Sequence, residues 1–529
     1  MAKAASGGKR EVGPAGRRRP AAPPVLMAGI DLGSTALRMN IAELPADGDI
    51  RIIEELTHPI STGADTFRHG RILPETLGSI LSILGDYLRL ADDYGAEFRR
   101  AVGSSAIREA FNRDILADRV RHDTGLDLEI LDTVEESRLA YHALLPWLRQ
   151  RQGNYSLALI IGGGSTEMMI LRGEDLQVGG VKRLGTSRLF HAAGQSGSQT
   201  RAEILRAMAT NIVNSSRDFY QEYSISSFFL INRSLYRAFR GDPAAERRPN
   251  DFVIAAEPLR LRLGQACGLG HLELGRLFNL GLTDIELLIP AMMILDSFIE
   301  AVEAAEVTFT NTEMLSGLLV EMGMTIRGGN PLTSFRRQMV RSARAVGERY
   351  GYDRAHARLV TEFALAIFDE LRDTLDLDDQ DRLFLELAAV LHDVGGYISE
   401  NLHHRHSAYL IKWSDIVGLN ENDRTLISQT AYFHRLETPS DEHSDYMALS
   451  SRDRVRVIKL AGILRLADVL DRGHRQTVKK LRAEAVGGKL RLSLNMSGDM
   501  GIISDALPKK ADLLELVTGL RVVLQRDGV

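Results

Sequence analysis

Residues 159–170 read LIIGGGSTEMMI, in which two apolar runs flank three glycines, two hydroxyl residues and a glutamate. Apolar runs on either side of a glycine turn predict two buried strands joined in a hairpin. Glycine lets the backbone come close to a bound group, and Ser165 and Thr166 add hydroxyl donors beside it. The stretch therefore predicts a hairpin whose turn forms half of a cradle for a phosphate group.

A similar hairpin opens the ordered part of the chain. The run VLMAGIDLGSTALRMNIAEL places Asp31 at the end of a first strand and Gly33, Ser34 and Thr35 in the turn. A carboxylate at a strand end can hold a metal ion or its water. Each turn alone is also typical of an ordinary hairpin. Together, the two hairpins predict two similar α/β halves that face each other across a cleft.

Composition and charge restrict the class of protein. Of the 529 residues, 44% are hydrophobic and 26% are charged, which is typical of a folded chain of several domains. The net charge of −5 gives no indication of nucleic-acid binding. The single cysteine, Cys267, is typical of a reducing cytoplasm, and no apolar run is long enough to cross a membrane. We therefore expect a cytoplasmic protein with neither nucleic acid nor membrane as a partner.

Changes in composition divide the chain. Residues 328–334, GGNPLTS, carry the clearest linker signal, and the chain between Phe190 and about residue 327 is predicted to be mostly helical. After the linker, apolar residues recur at three- and four-residue spacing. We predict a disordered basic tail over residues 1–24, followed by a first α/β half over 25–150 and a second α/β half over 151–330. An all-α domain over 335–476 and a small α/β segment over 477–529 complete the prediction.

Five motifs follow one another along the chain: GIDLGSTALRMNIAE, VGSSAIREAFN, LDTVEESRLAY, IIGGGSTEMMI, and LHDVGG with HHRHSAYLI. In this order they resemble the exopolyphosphatase/guanosine pentaphosphate phosphohydrolase (Ppx/GppA) family. The resemblance implies an actin-like, sugar-kinase-like ATPase fold for the two halves. It also implies a Mg²⁺-dependent, homodimeric hydrolase that uses water to remove the terminal phosphate of polyphosphate or guanosine pentaphosphate.

The resemblance also assigns roles to residues. It makes Glu136, in the motif VEES, the carboxylate that orients the attacking water, and it makes Asp31 the support for Mg²⁺. The spacing from Thr133 to Glu136 is also that of a capping box, in which Glu136 would satisfy the start of its own helix, and both roles stay open. The phosphate-binding residues implied are Gly33, Ser34, Thr35, Arg108, Gly163, Gly164, Ser165, Thr166 and Glu167.

This chain departs from the family pattern at four places, of which the mildest is Thr35 where the family has Asn. The family has an aspartate where this chain has Ile160, and isoleucine has no lone pair to offer to Mg²⁺. Two further turns, at 229–237 (FLINRSLYR) and 310–319 (TNTEMLSGLL), lack the small residues that the family uses there. A sensor that binds polyphosphate or the guanosine nucleotide without turnover is therefore an alternative prediction.

The helical domain carries a second pattern of histidines and aspartates, namely His356, His392, Asp393, His406, His434 and Asp468. This order resembles the HD metal-dependent phosphohydrolase domain, which implies a second divalent-metal site and, as a further alternative, hydrolysis at that site. A single histidine on an apolar helix is more often structural. The run His403–Arg405 would line a channel for a polyanion or cap a helix.

Overall fold

The computed structural model describes residues 23–148, 154–193, 198–249, 251–414 and 416–526. All but the last two residues of the predicted tail, 1–24, lie outside these ranges. Two α/β halves with similarly ordered sheets are followed by a helical region, which confirms the predicted fold class. Within the described residues, we find no helix that is both long and apolar enough to span a membrane.

The first half is built around one sheet. Its strands are β1 (Val25–Leu32), β2 (Ala36–Leu44), β3 (Arg51–Pro59), β4 (Phe98–Gly103) and β5 (Leu128–Ile130). They lie in the order β3-β2-β1-β4-β5, and β1 pairs antiparallel with β2 and parallel with β4. The antiparallel β1–β2 pair is the hairpin predicted from the glycine turn.

Helices cover this sheet. They are α1 (Thr62–His69), α2 (Pro74–Tyr94), α3 (Ser105–Arg108), α4 (Arg113–Thr124) and α5 (Thr133–Leu148). Helix α2 shows why such a segment folds: Pro74 opens it, Gly95 ends it in a left-handed conformation, and Ile80, Leu84 and Ala91 are buried along one face.

The second half repeats the arrangement. Its strands are β6 (Tyr155–Ile161), β7 (Thr166–Arg172), β8 (Asp175–Lys182), β9 (Ile225–Ile231), β10 (Glu246–Arg247), β11 (Asp251–Ala255) and β12 (Glu306–Thr310). They lie in the order β10-β11-β12-β9-β6-β7-β8, with β6 antiparallel to β7 and parallel to β9. Its helices are α6 (Thr186–Ala192), α7 (Ser198–Asn214), α8 (Arg217–Tyr220), α9 (Arg233–Phe239), α10 (Ala256–Cys267), α11 (His271–Phe278), α12 (Leu282–Val302) and α13 (Met314–Ile326).

The prediction that the chain is mostly helical after Phe190 missed the middle of this sheet. Strands β9 and β12 are adjacent and parallel, and their residues are largely buried. In β9 the buried apolar run FFLI has no alternation, so its sequence resembles a buried stretch of helix, whereas EVTFT of β12 does alternate between polar and apolar residues.

The remaining chain is helical up to a small terminal sheet. Its helices are α14 (Pro331–Arg349), α15 (Arg354–Leu371), α16 (Asp379–Leu391), α17 (His403–Trp413), α18 (Glu421–Tyr432), α19 (Ser444–Met447) and α20 (Ser451–Val469), with a 3₁₀ turn at Val394–Tyr397. The last elements are β13 (Val478–Val486), β14 (Lys489–Met496), α21 (Gly501–Lys510), α22 (Asp512–Thr518) and β15 (Arg521–Arg526).

The helical region packs directly on the second half. One continuous cluster of buried side chains contains Ala158 and Met169 from the second sheet together with Phe363 and Phe384 from α15 and α16. Burial of this apolar surface stabilises the joint between the two regions.

Candidate active site

The two predicted turns close in the same way and touch each other. The N–H of Gly33 donates to the carbonyl of Ala36 at 3.0 Å, and the N–H of Gly162 donates to the carbonyl of Ser165 at 2.9 Å. A Cβ at Gly163 would lie 1.7 Å from the Oγ of Ser34, so a larger residue there would push the turns apart. Both turns line one cavity of about 180 Å³ between the halves.

Most of the predicted cleft residues line this cavity, namely Asp31, Gly33, Ser34, Thr35, Glu136, Gly163, Ser165 and Glu167. Thr166, Gly164 and Arg108 do not line it. Thr166 is fully buried and its hydroxyl donates to the carbonyl of Leu184, so the backbone uses the group that was predicted for phosphate. Gly164 is packed against Phe67 and Ser105, because a Cβ there would come within 2.3 Å of the hydroxyl of Ser105.

Asp31 is buried at the end of β1, as predicted. Arg38 donates to its Oδ2 at 3.3 Å, whereas Oδ1 has no hydrogen-bond partner among the described residues. Burial raises the pKa of Asp31 to about 6, against the opposing charge of Arg38. A buried carboxylate oxygen without a partner, next to two glycine turns, fits a divalent cation such as Mg²⁺.

The start of α5 differs from the predicted capping box by one residue. The carboxylate of Asp132 accepts the N–H groups of Val134 and Glu135, each at 2.8 Å. Glu135 in turn accepts the N–H of Asp132 at 3.0 Å. This reciprocal pair satisfies the helix start. The carboxylate of Glu136 is therefore not used by the cap, and it lines the cavity instead.

Glu136 is held by Arg108. The guanidinium of Arg108 donates to Oε1 of Glu136 at 2.8 Å and to the carbonyl of Leu131 at 2.7 Å. Burial raises the pKa of Glu136, and the charge and hydrogen bond of Arg108 oppose that rise. A carboxylate with a raised pKa is suited to accept a proton from water near neutral pH.

Glu167 is a second buried carboxyl group beside Glu136. Ser137 donates to its Oε1 at 3.2 Å, and its Oε2 has no hydrogen-bond partner in the described part of the chain. Burial, followed by the negative charge of Glu136, raises the pKa of Glu167 well above the usual value. The negative charge of Glu136 therefore favours the protonated, neutral form of Glu167, because ionising two neighbouring buried carboxyl groups is costly.

The cavity also contains charged residues that the sequence did not identify. Arg38, Arg233 and Glu313 line it, with Glu313 lying 3.1 Å from Arg233 and 3.6 Å from Arg38. Arg233 and Glu313 lie in the two segments, 229–237 and 310–319, that were predicted to depart from the family pattern. This departure is the sequence feature from which the two charged residues could have been identified. Ile160 also lines the cavity and is paired across the hairpin with Glu167.

A second set of polar residues gathers in the helical region. The Nε2 atoms of His356 and His392 lie 3.2 Å apart, and Oδ2 of Asp393 lies 3.5 and 3.6 Å from them. The Oδ1 of Asp393 lies 3.2 Å from Nε2 of His403 and 3.6 Å from Nε2 of His434. The described residues thus form two groups with metal-ligand spacing, and both groups contain Asp393.

The structure brings His403, rather than His406, into this set. Helix α17 begins at His403, so its first side chain is the one that reaches Asp393. The next residues of the helix pack on Gly395, where a Cβ would lie 2.8 Å from the Cβ of His406. The predicted Asp468 does join the set, with Oδ1 3.7 Å from Nε2 of His356.

Two facing α/β halves, with glycine turns that meet above buried carboxylates, define a protein of the actin-like ATPase fold with a phosphate-sized cleft. The comparisons with known proteins identify the family within this fold. The profile of the Ppx/GppA phosphatase family matches residues 41–325, and that of Ppx/GppA phosphatase domain III matches residues 338–514. The chain belongs to the Ppx/GppA phosphatase family.

Curated relatives span most of the chain. A guanosine-5'-triphosphate,3'-diphosphate pyrophosphatase from Photobacterium profundum is 24% identical over 463 residues, covering 87% of this chain and 89% of the relative. The protein of that name from Vibrio vulnificus is 25% identical over 494 residues, covering 89% and 92%.

Solved structures support the fold of the two halves. An exopolyphosphatase from Cytophaga hutchinsonii ATCC 33406 superposes with a TM-score of 0.52 at 15% identity, covering 58% of this chain and 99% of that one. At this identity the likeness concerns the fold alone.

Proposed function

We propose that this protein is a phosphoanhydride hydrolase that removes the terminal phosphate of guanosine pentaphosphate, with the end of inorganic polyphosphate as the second candidate substrate. The observation that carries the proposal is the position of Glu136. The pair Asp132 and Glu135 caps the helix, so the carboxylate of Glu136 is not used by the cap and lines the cavity where the two turns meet. The nucleotide is preferred because relatives that cover most of the chain are named for it.

In the proposed reaction, Glu136 orients a water molecule and accepts its proton. The water oxygen forms a bond to the terminal phosphorus, and the bridging P–O bond breaks, so that the leaving oxygen departs with its nucleotide or chain. Arg38 and Arg233 would offset charge on the phosphate oxygens, which the turns would hold. Asp31 would hold Mg²⁺, which when bound stabilises the negative charge of the phosphates.

The test compares phosphate release by Glu136→Gln and Glu135→Gln, with guanosine pentaphosphate and polyphosphate as substrates. The two residues are neighbours in the same helix turn, but only Glu136 lines the cavity. We expect Glu136→Gln to lose about 10²- to 10⁴-fold in rate. Glu135→Gln should be less stable and still active. Wild-type rates in Glu136→Gln would contradict the proposal.

The same assay separates the alternatives. Binding of guanosine pentaphosphate without phosphate release by the wild type would favour a sensor. Release that survives Glu136→Gln but is lost in Asp393→Asn would place the chemistry among the histidines of the helical region.

A further inference from the structure

We propose that Asn420, at the start of α18 in the helical region, is a positioning residue for Glu136 and acts on it through Asp132. The helical region would then contribute to the reaction in the cleft by fixing the first turn of α5. The role of Asn420 rests on the function proposed for Glu136, and the variants below distinguish a failure of one from a failure of the other.

A side-chain hydrogen bond joins the cap of α5 to the helical region. Nδ2 of Asn420 donates to Oδ2 of Asp132 at 3.0 Å, although the two residues are 288 positions apart in the chain. Both side chains are partly buried. Because the acceptor is a carboxylate, this hydrogen bond is stronger than one between two neutral groups. It therefore ties the first half of the protein to the helical region at the start of the helix that carries Glu136.

Asp132 connects this hydrogen bond to the backbone of α5. Its Oδ1 accepts the N–H groups of Val134 and Glu135, each at 2.8 Å, while its Oδ2 accepts Asn420. The carbonyl of Asp132 accepts the N–H of Glu136 at 3.1 Å. A displacement of Asp132 would therefore move Glu136 through the hydrogen bonds of the first helix turn.

Arg108 makes the position of the Glu136 carboxylate sensitive to such a displacement. Its Nη1 donates both to the carbonyl of Leu131 at 2.7 Å and to Oε1 of Glu136 at 2.8 Å. One nitrogen thus contacts the residue before Asp132 and the carboxylate one turn later. If the backbone at 131–132 shifts, this nitrogen cannot keep both hydrogen bonds in good geometry.

The amide of Asn420 is oriented by its own helix. Its Oδ1 accepts the N–H of Asp423 at 2.8 Å, which is the N-cap hydrogen bond of α18. Because Oδ1 is used there, the donor Nδ2 is the atom that faces Asp132. Burial raises the pKa of Asp423 to about 6, and the charge of Asp132 adds to the rise. Asn420 is thus a neutral donor beside two carboxyl groups, where a third carboxyl group would be repelled.

Helix α5 has a second attachment to the helical region beyond Glu136. The rings of Tyr141 and Phe335 lie 5.7 Å apart, and Nε2 of Gln338 donates to the hydroxyl of Tyr141 at 3.1 Å. Phe335 and Gln338 both belong to α14. Tyr141 follows Asp132 by nine residues, which is about 13 Å along a helix. Glu136 therefore lies between two points at which the helical region holds α5.

Loss of the hydrogen bond between Asn420 and Asp132 should affect turnover rather than substrate binding. Neither of these two residues lines the cavity of the cleft, so the groups that would contact the substrate stay in place. Glu136 would orient the attacking water less well, and a misplacement of about 1 Å can cost about 10²-fold in rate. A change made only in the transition state lowers kcat and leaves KM nearly constant.

The test measures kcat and KM for phosphate release from guanosine pentaphosphate by the full chain. Asn420→Asp keeps an N-cap residue on α18 but replaces the donor with a carboxylate that faces Asp132. We expect kcat to fall about 10- to 100-fold, with KM within about twofold of the wild type. The matched control is Asn422→Asp in the same helix turn, where the amide donates to Asp453 of the helical region at 3.3 Å. Its kcat should equal that of the wild type.

Exchange of the two residues distinguishes positioning from a general loss of stability. In Asp132→Asn/Asn420→Asp the amide is at position 132 and the carboxylate at position 420, so the hydrogen bond forms in the opposite direction. Asn and Asp are about equally good N-caps, so both helices keep their caps. We expect the double variant to recover kcat about tenfold relative to Asn420→Asp. Asn420→Ser, which keeps a cap without adding charge, should lower kcat severalfold with the circular dichroism of the wild type.

A wild-type kcat in Asn420→Asp, or a double variant that is no faster than Asn420→Asp, would overturn the role of Asn420. Comparison with Glu136→Gln shows which inference has failed. If Glu136→Gln is inactive while Asn420→Asp is fully active, only the role of Asn420 fails. An inactive wild type, or wild-type rates in Glu136→Gln, would overturn the function proposed for Glu136 and the role of Asn420 with it.

Discussion

Arg108 donates a hydrogen bond of 2.8 Å to the buried carboxylate of Glu136. Burial raises the pKa of this carboxylate, and the guanidinium lowers it again in part. If ionised Glu136 accepts the proton of water, the rate falls as the pH drops through its pKa. Arg108 would therefore set the pH at which the proposed reaction begins.

We predict that Arg108→Gln shifts the acid limb of the kcat/KM profile to higher pH, because the carboxylate loses its cationic partner. A shift of about one pH unit would correspond to about 1.4 kcal/mol of interaction. The measurement is phosphate release from guanosine pentaphosphate over a series of pH values. Arg119→Gln removes a surface arginine of α4 that pairs with Asp123, and its acid limb should match the wild type. An unshifted limb in Arg108→Gln would refute the assignment.

A substitution at Ile160 tests whether a metal ion binds at Asp31 in the cleft. Ile160 lines the cavity together with Asp31, and the resemblance to the family implies a carboxylate at its position. We predict that Ile160→Asp lowers the Mg²⁺ concentration needed for half-maximal activity severalfold, because Mg²⁺ binds through few carboxylates and a second one strengthens the site. Ile160→Asn introduces a side chain that is similar in shape to aspartate but uncharged, and it should leave the Mg²⁺ requirement unchanged. Equal Mg²⁺ requirements in the Asp and Asn variants would count against a metal at Asp31.

The parts of the fold that the sequence predicted are those determined by local patterns. Both hairpins follow from glycine turns between apolar runs. Strand β9 was missed because its buried apolar run, FFLI, has no alternation, whereas the alternating EVTFT of β12 was a strand signal that the prediction did not use.

The sequence predicted the types of residue that form the site, but at two places the structure uses a different residue from the one predicted. The sequence predicted a capping box from Thr133 to Glu136, whereas the structure uses Asp132 with Glu135, which leaves Glu136 in the cavity. His403 replaced His406 because the start of α17 decides which side chain reaches Asp393. Such choices depend on contacts between distant segments, and sequence spacing alone does not resolve them.

The contact between the two turns gives a third prediction. A Cβ at Gly163 would lie 1.7 Å from Oγ and 2.9 Å from Cβ of Ser34. Gly163→Ala should therefore force the turns apart, destabilise the protein by about 1–3 kcal/mol and abolish phosphate release. Adding Ser34→Gly removes both clashing atoms and should restore the thermal unfolding temperature. Gly78→Ala, on a helix surface with no atom within 4 Å, should not destabilise. Failure of Ser34→Gly to rescue stability would refute the contact.

A buried ion network beneath α5 gives the last prediction. Glu321 accepts hydrogen bonds from Nε of Arg138 at 2.6 Å and from Nη1 of Arg100 at 3.1 Å, and its Oε1 lies 3.1 Å from Nδ1 of His142. Burial alone would raise the pKa of Glu321, but the hydrogen bonds of His142 and Arg138 lower it to about 2. Ionised Glu321 therefore stabilises the fold above the pKa of the unfolded chain, and that stabilisation is lost as the pH falls toward about 2.

We predict that Glu321→Gln lowers the free energy of unfolding by about 3 kcal/mol near pH 7, and by progressively less as the pH falls below about 4.5. The reason is that the wild type loses the ionised partner of Arg138 in acid, whereas the variant never has it. Urea unfolding of both proteins across this pH range measures the difference. The control Glu362→Gln breaks an exposed pair with Arg358 and should cost less than about 1 kcal/mol at any pH. A deficit in Glu321→Gln that stays constant into acid would show that Glu321 acts through packing rather than charge.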